Sequence, residues 1–232
     1  MLCNLDQDYN TLVKNKIYDV IVVGAGQAGL SISYFLSKSK IDHIVLDQGK
    51  LGNAWLHDRW DSFCLVTPNW SITLPGAEYN GNEPDAFMLG KDFSIYLEKW
   101  ATSFNAPVEE HVRVDQITKE GKNFLLETNQ GKLEGKQVVI ATATYQRPRI
   151  PEEIKGLSQH ILLLPASDYR NPSMLPSGAV LVIGSGQSGC QIAEELNKSG
   201  RQVYLSIGKS GRLPRTYSCL LYTSPSPRDC RL

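Results

Sequence analysis

The stretch Tyr18-Asp-Val-Ile-Val-Val-Gly-Ala-Gly-Gln-Ala-Gly29 decides the fold. Its first half is a β-branched run, the pattern of a strand buried on both faces of a parallel sheet. Its second half is a GxGxxG turn. In such a turn the first glycine permits the tight bend. The second lets the backbone approach a pyrophosphate, and the third lets helix and strand pack closely. The sequence Leu30-Ser-Ile-Ser-Tyr-Phe-Leu-Ser37 then places Leu30, Ser33, Tyr34 and Ser37 at helical spacing. A second strand, His43-Ile-Val-Leu46, ends at Asp47. The result is a strand–turn–helix–strand unit of the right size for a nucleotide site. Asp47 lies 21 residues after Gly26. A carboxylate there can accept from both ribose hydroxyls and repels a 2′-phosphate, which fits FAD or NAD.

The pattern recurs 160 residues later. After Pro176 and Gly178, the strand Ala179-Val-Leu-Val-Ile183 leads into Gly184-Ser-Gly-Gln-Ser-Gly189. A helix is expected over 190–199 and a strand over 202–206. One glycine fingerprint is a weak signal, but two copies that each follow an apolar strand and open a helix are specific. The second copy has no acid after its closing strand. Ile-Gly-Lys-Ser-Gly-Arg212 follows Ser206, and Lys209 and Arg212 favour a 2′-phosphate, which an arginine can grip bidentately. The second unit therefore reads as an NADPH site, with an ordinary basic loop as the alternative. Two nucleotide sites of opposite charge preference suggest that NADPH reduces a bound flavin.

Between the two units, residues 48–90 are rich in Trp, Asn, Pro and Gly and read as an elaborated loop region. Asp92 is expected to cap a helix with the apolar side Phe93, Tyr96, Leu97, Trp100 and Phe104. Residues 111–140 read as a β-meander with a turn at Gln130-Gly131, and Pro148, Pro151 and Gly156 mark a linker. This gives an FAD-binding domain over 15–150 and an NADPH-binding domain over 151–218.

Composition agrees with a globular protein. The chain has 232 residues, with 24 Lys+Arg balanced by 24 Asp+Glu. A formal charge of zero argues against nucleic acid or a membrane surface as a partner held by charge. No apolar run approaches the ~20 residues of a membrane helix, and the polar start lacks the centre of a secretory signal. The expected location is the cytoplasm. Five irregularly spaced cysteines suggest neither a disulfide framework nor a metal site. Residues 219–229, CLLYTSPSPRD, resemble one reading frame of a transposase-based sequencing adapter. The expectation is that evolved sequence stops near Ser218 and that 219–232 is an artefactual tail on a C-terminally truncated chain.

Four blocks, in order, resemble flavin-containing monooxygenase-like (class B) flavoproteins: GAGQAGLSISYFL, LDQGKLGNAWLHDRWDSFCLVTPNWSITLPG, VVIATATYQRPRIP and GSGQSGCQIAEEL. The resemblance covers roughly residues 17–216. It implies an α/β protein with two dinucleotide-binding (Rossmann-like) units in a three-layer ββα/αβ flavoprotein fold. Carried over by position, Gly24, Gly26, Gln27, Gly29, Asp47, Gln48 and Thr142 bind FAD, and Trp55, Arg59 and Trp60 lie along it. Core packing is the alternative for the tryptophans. Asn69 falls where relatives place an amide near flavin and nicotinamide, and it could equally be a turn residue. Gly184, Gly186, Gln187, Ser188, Gly189, Lys209 and Arg212 hold NADPH.

The implied reaction inserts one oxygen atom from O2 into a small organic substrate through a C4a-(hydro)peroxyflavin. The alternatives are a cofactor-binding fragment without turnover, a flavin reductase or oxidase, and a disulfide reductase, for which Cys64 and Cys190 are poorly spaced. Two departures stand out. Ala143 replaces the glycine of the family's Ala-Thr-Gly, and Pro165 stands at the linker histidine, with Tyr169 keeping the aromatic. A tyrosine there leans away from Baeyer–Villiger-type members.

Overall fold

The computed structural model describes residues 16–208, apart from 144–147, 149, 155 and 159. Its elements run β1 (Ile17–Val23), α1 (Gln27–Lys38), β2 (His43–Leu46), α2 (Asn53–Leu56), β3 (Thr73–Leu74), β4 (Ala77–Glu78), α3 (Gly90–Ser103), β5 (Val108–Glu109), β6 (Val114–Glu120), β7 (Asn123–Thr128), β8 (Gly131–Ile140), β9 (Val180–Ile183), α4 (Gln187–Lys198) and β10 (Val203–Ser206). Two compact units result. Among the described residues, 16–53 together with 95–143 form the first, and 54–94 together with those from 148 to 208 form the second. Of the loop region expected over 48–90, residues 54–90 fall in the second unit.

The first unit is built on a six-stranded sheet ordered β5-β2-β1-β8-β7-β6. β1 pairs parallel with both β2 and β8, while β8, β7 and β6 form the antiparallel meander. β8 therefore belongs to both halves of the sheet. Its ten residues are long enough for Phe124 to pair with Gly135 while Ile21 pairs with Val138. A buried core gathers Tyr18, Ile21, Ile44, Leu46, Val112, Leu126 and Leu133. Burying each such aliphatic side chain contributes about 1.5–3 kcal/mol. Helix α1 meets α3 through an aromatic cluster in which Tyr34 lies 6.5 Å from Trp100 and 5.4 Å from Phe104, centroid to centroid. Helix α3 starts two residues before the expected cap, so Asp92 lies in its first turn, where a carboxylate still favours the positive dipole end. The meander turn sits at Asn129-Gln130, with Gly131 at φ +122 opening β8.

In the second unit β9 and β10 pair parallel, and α4 packs on them. Its core joins Trp60, Tyr169, Ile192 and Leu196, with Val180, Val182 and Val203 against them. Helix α4 begins at Gln187, three residues before the apolar run that announces it. Among the described residues no helix is long and apolar enough to cross a membrane.

Candidate functional site

The first glycine loop leaves β1 at Gly24, whose φ of +106 only glycine adopts readily. The Gly24 N–H donates to the Leu46 carbonyl at 2.7 Å, tying the bend to the end of β2. The backbone of Ala141 and Thr142 closes over it, since a Cβ on Gly24 would lie 2.6 Å from the Ala141 oxygen. Gly29 is the packing glycine, because a Cβ there would lie 1.8 Å from the Gly24 oxygen. Gly26 is different. It is the N-cap of α1, has no side-chain cap, and a Cβ on it would meet nothing within 4 Å. Open space stands above free helix N–H groups, the arrangement that receives a phosphate.

Asp47 completes this site. Its Oδ2 accepts from the Ala25 N–H at 2.8 Å and its Oδ1 from the Gly49 N–H at 2.9 Å. Each carboxylate oxygen has one bond from the backbone and keeps lone pairs for a diol. Gln48, next to Asp47 in sequence, is exposed, as are Gln27 and Thr142.

The second loop repeats the first. Gly184 has the same φ of +106, and its N–H donates to the Ser206 carbonyl at 3.1 Å. A Cβ on Gly189 would lie 1.9 Å from the Gly184 oxygen, whereas one on Gly186, the N-cap of α4, would meet nothing within 4 Å. Gln187 and Ser188 open the helix and are exposed. Val23 pairs with Leu46 and Ile183 with Ser206, so the register makes Ile207 the counterpart of Asp47. Ile207 is 67% exposed and carries no charge to repel a phosphate. Lys209 and Arg212 lie outside the described residues.

The Trp/Arg block, taken as residues 55–64, lies in the second unit. The Arg59 guanidinium lies 5.8 Å from the Trp55 ring centre and 5.6 Å from that of Phe63, within cation–π range. Trp60, expected along a cofactor, is 4% exposed in the core with Tyr169, Ile192 and Leu196. Its large apolar surface is spent on packing. Asn69 opens a 3-10 turn and is 5% exposed. Its Nδ2 donates to the Glu83 carbonyl at 2.9 Å, while its Oδ1 is buried without a partner. An orphaned buried acceptor is uncommon in a folded protein and is what a ligand N–H would satisfy.

Two residues of α4 escaped sequence reasoning. Gln191 bonds to the backbone of Cys64, and Glu195 accepts from the Tyr169 hydroxyl at 2.6 Å. Their partners lie 127 and 26 residues away, and no local pattern announces either pairing. Burial, and secondarily the charge of Glu194, push the Cys64 thiol up, so it is a protonated and poor nucleophile. The Cys190 thiol donates instead to the Ser185 carbonyl.

Residues 21–225 match the family described as pyridine nucleotide-disulphide oxidoreductase. An uncharacterized CzcO-like oxidoreductase of Geobacillus kaustophilus (strain HTA426) is 40% identical over 193 residues, or 83% of this chain and 55% of its own length. Indole-3-pyruvate monooxygenase YUCCA4 of Oryza sativa subsp. japonica is 26% identical over 208 residues, covering 78% of this chain and 46% of its own. The structure of a flavin-containing monooxygenase from Stenotrophomonas maltophilia matches with a TM-score of 0.75 at 26% identity, over 84% of this chain and 59% of that one. The chain spans about half the length of these relatives. Two glycine loops of one geometry and a family match running through both of them agree: the chain belongs to the pyridine nucleotide-disulphide oxidoreductase family and is similar to its flavin-containing monooxygenase-like members.

Proposed function

We propose that this chain carries the FAD-binding and NADPH-binding parts of a flavin monooxygenase. The observation that carries the reading is the contrast between two otherwise matching loops, with Asp47 at the tip of one and Ile207 at the tip of the other. An adenosine diol suits the first and a 2′-phosphate is tolerated at the second.

In this reading Gly24, Gly26, Gln27 and Gly29 present helix N–H groups to the flavin pyrophosphate, and Asp47 with Gln48 takes the ribose. Thr142 borders the same turn. Arg59, held by Trp55 and Phe63, offers its free N–H groups to an anionic ligand group, and Trp60 supports that block from the core. Asn69 offers its unpartnered Oδ1 to a ligand N–H and is the candidate catalytic residue. Gly184, Gly186, Gln187, Ser188 and Gly189 receive the NADPH pyrophosphate, with Lys209 and Arg212 for its 2′-phosphate. A bound flavin would supply the redox and oxygen chemistry, and these residues would bind and orient the two cofactors. The substrate class is a small organic molecule that receives one oxygen atom from O2.

The test is purification followed by anaerobic NADPH addition and turnover under labelled O2. Bound yellow flavin, bleached by NADPH faster than by NADH, with label in an organic product, supports the reading. Reoxidation that yields only hydrogen peroxide overturns oxygenation in favour of an oxidase. Retained flavin without turnover reduces the chain to a cofactor-binding part, and a colourless protein overturns the assignment.

A further inference from the structure

The Gln191 carboxamide grips one residue of the Trp/Arg block through both of its backbone groups. The Cys64 N–H donates to Gln191 Oε1 at 3.3 Å, and Gln191 Nε2 donates to the Cys64 carbonyl at 3.2 Å. The Cys64 thiol donates to the same Oε1 at 3.7 Å. On its other side Cys64 forms an isolated antiparallel bridge with Leu89. A side-chain amide thus does for Cys64 what a neighbouring strand would do, supplying one acceptor and one donor in register. Both partners lie in the second unit, so the grip is internal to it.

Its position gives it consequence. Gln191 stands two residues after Gly189, on the helix whose N-terminus opens the second glycine loop. Trp60, four residues before Cys64, packs on Ile192 and Leu196 of the same helix. Asn69, five residues after Cys64, carries the orphaned acceptor. Packing by Trp60 resists separation but does not fix sliding along the helix, because apolar contact is non-directional. The paired hydrogen bonds are directional and fix the register.

We propose that Gln191 is a positioning residue: by clasping the Cys64 backbone it sets the register of the 60–69 segment on α4, and so holds Asn69 in line with the dinucleotide that the second glycine loop receives. This rests on the proposed NADPH role of that loop. A glutamine at this position is then needed for the reducing step rather than for nucleotide affinity, because the hydrogen bonds of its carboxamide go to Cys64.

The test compares Gln191→Met, which keeps the volume and removes both hydrogen bonds, with Ser33→Ala. Ser33→Ala removes a buried 2.8 Å hydrogen bond to His43 in the first unit and serves as the stability-matched control. Two quantities are read in the full chain: the rate at which an aromatic disulfide labels Cys64, located by peptide mapping, and the saturating rate of flavin bleaching by NADPH with the NADPH dissociation constant. Expected for Gln191→Met is labelling at least about fivefold faster and bleaching at least about tenfold slower. The dissociation constant stays within about twofold, and Ser33→Ala changes none of these by more than about twofold. Unchanged labelling overturns the clasp. Faster labelling with unchanged bleaching overturns the positioning role. A parent protein that binds no flavin fails the function reading instead, and the labelling arm then decides the clasp alone.

Discussion

The backbone N–H of Gly184 donates to the carbonyl of Ser206 at 3.1 Å. Gly24 stands in the same relation to Leu46, so the residue after each acceptor occupies one structural position, Asp47 in the first loop and Ile207 in the second. In the proposed function, charge at that position decides which adenosine is admitted. Ile207→Asp places a carboxylate where the proposed 2′-phosphate would bind, and like charges in contact at partly exposed sites cost about 1–3 kcal/mol. The expected outcome is a rise of about tenfold or more in the dissociation constant for NADPH, with NADH unchanged or tightened, measured by fluorescence titration. Equal weakening of both dinucleotides would refute the register.

The glycines of each loop divide into two classes, and substitution separates them. Gly29→Ala and Gly189→Ala drive a methyl to within 1.8–1.9 Å of a carbonyl oxygen, so the helix must move off its strand. Both lower the melting temperature. Gly26→Ala and Gly186→Ala meet open space at φ of −80 and −73, which alanine adopts without strain. Alanine caps a helix less well than glycine, which offsets the about 0.4–1 kcal/mol gained from reduced unfolded-state freedom, so stability changes little. On the proposed function the same methyl fills the phosphate's place, so flavin content is expected to fall in Gly26→Ala and NADPH affinity in Gly186→Ala. Calorimetry alongside ligand titration checks the split. A loss of stability in the second pair as large as in the first contradicts the assignment.

Both strand–turn–helix–strand units were legible because each is written in contiguous sequence, with apolar runs and glycines at fixed offsets. Helix α4 was misplaced by three residues because Gln187 and Ser188 carry no apolar signal and Gly186 caps without a side chain. The double role of β8 was hidden, since its pairing with β1 joins residues such as Ile17 and Glu134. The home of the 54–94 segment rests on Trp60 meeting Ile192 and on Gln191 meeting Cys64, contacts that no local window contains. The tip of the second loop could be placed only through the ladder that pairs Ile183 with Ser206.

Ala143 takes the left-handed conformation, φ +59, directly after Thr142. For an L-residue with a Cβ this costs about 1–2 kcal/mol, and glycine there avoids the cost at the expense of about 0.5–1 kcal/mol of chain entropy. Ala143→Gly is therefore expected to raise stability by about 0.5–1 kcal/mol, a shift of about 1–4 °C in a chain of this size. Ala143→Val lowers it, because a β-branched side chain tolerates positive φ least. Thermal melts of the three proteins check the order, and a less stable glycine variant refutes it.

Tyr169 is buried against Trp60 and donates its hydroxyl to Glu195 at 2.6 Å. Burial, and after it the hydrogen bond to the Glu195 carboxylate, hold the phenol well above the usual tyrosine range. An acid whose folded pKa is raised contributes stability that is fully present below its unfolded value and is lost as pH climbs toward the folded one. The unfolded value is about 10, so the contribution is intact at neutral pH and declines above about pH 10. Tyr169→Phe removes the donor while leaving the ring in the core. A hydrogen bond to a charged group is worth about 1.5–3 kcal/mol, or about 3–12 °C here. The melting temperature of the variant should therefore fall by that amount at pH 7, and the gap to the parent should narrow above pH 10. A gap that stays constant to pH 11 would show that the Tyr169 hydroxyl is not linked to folding.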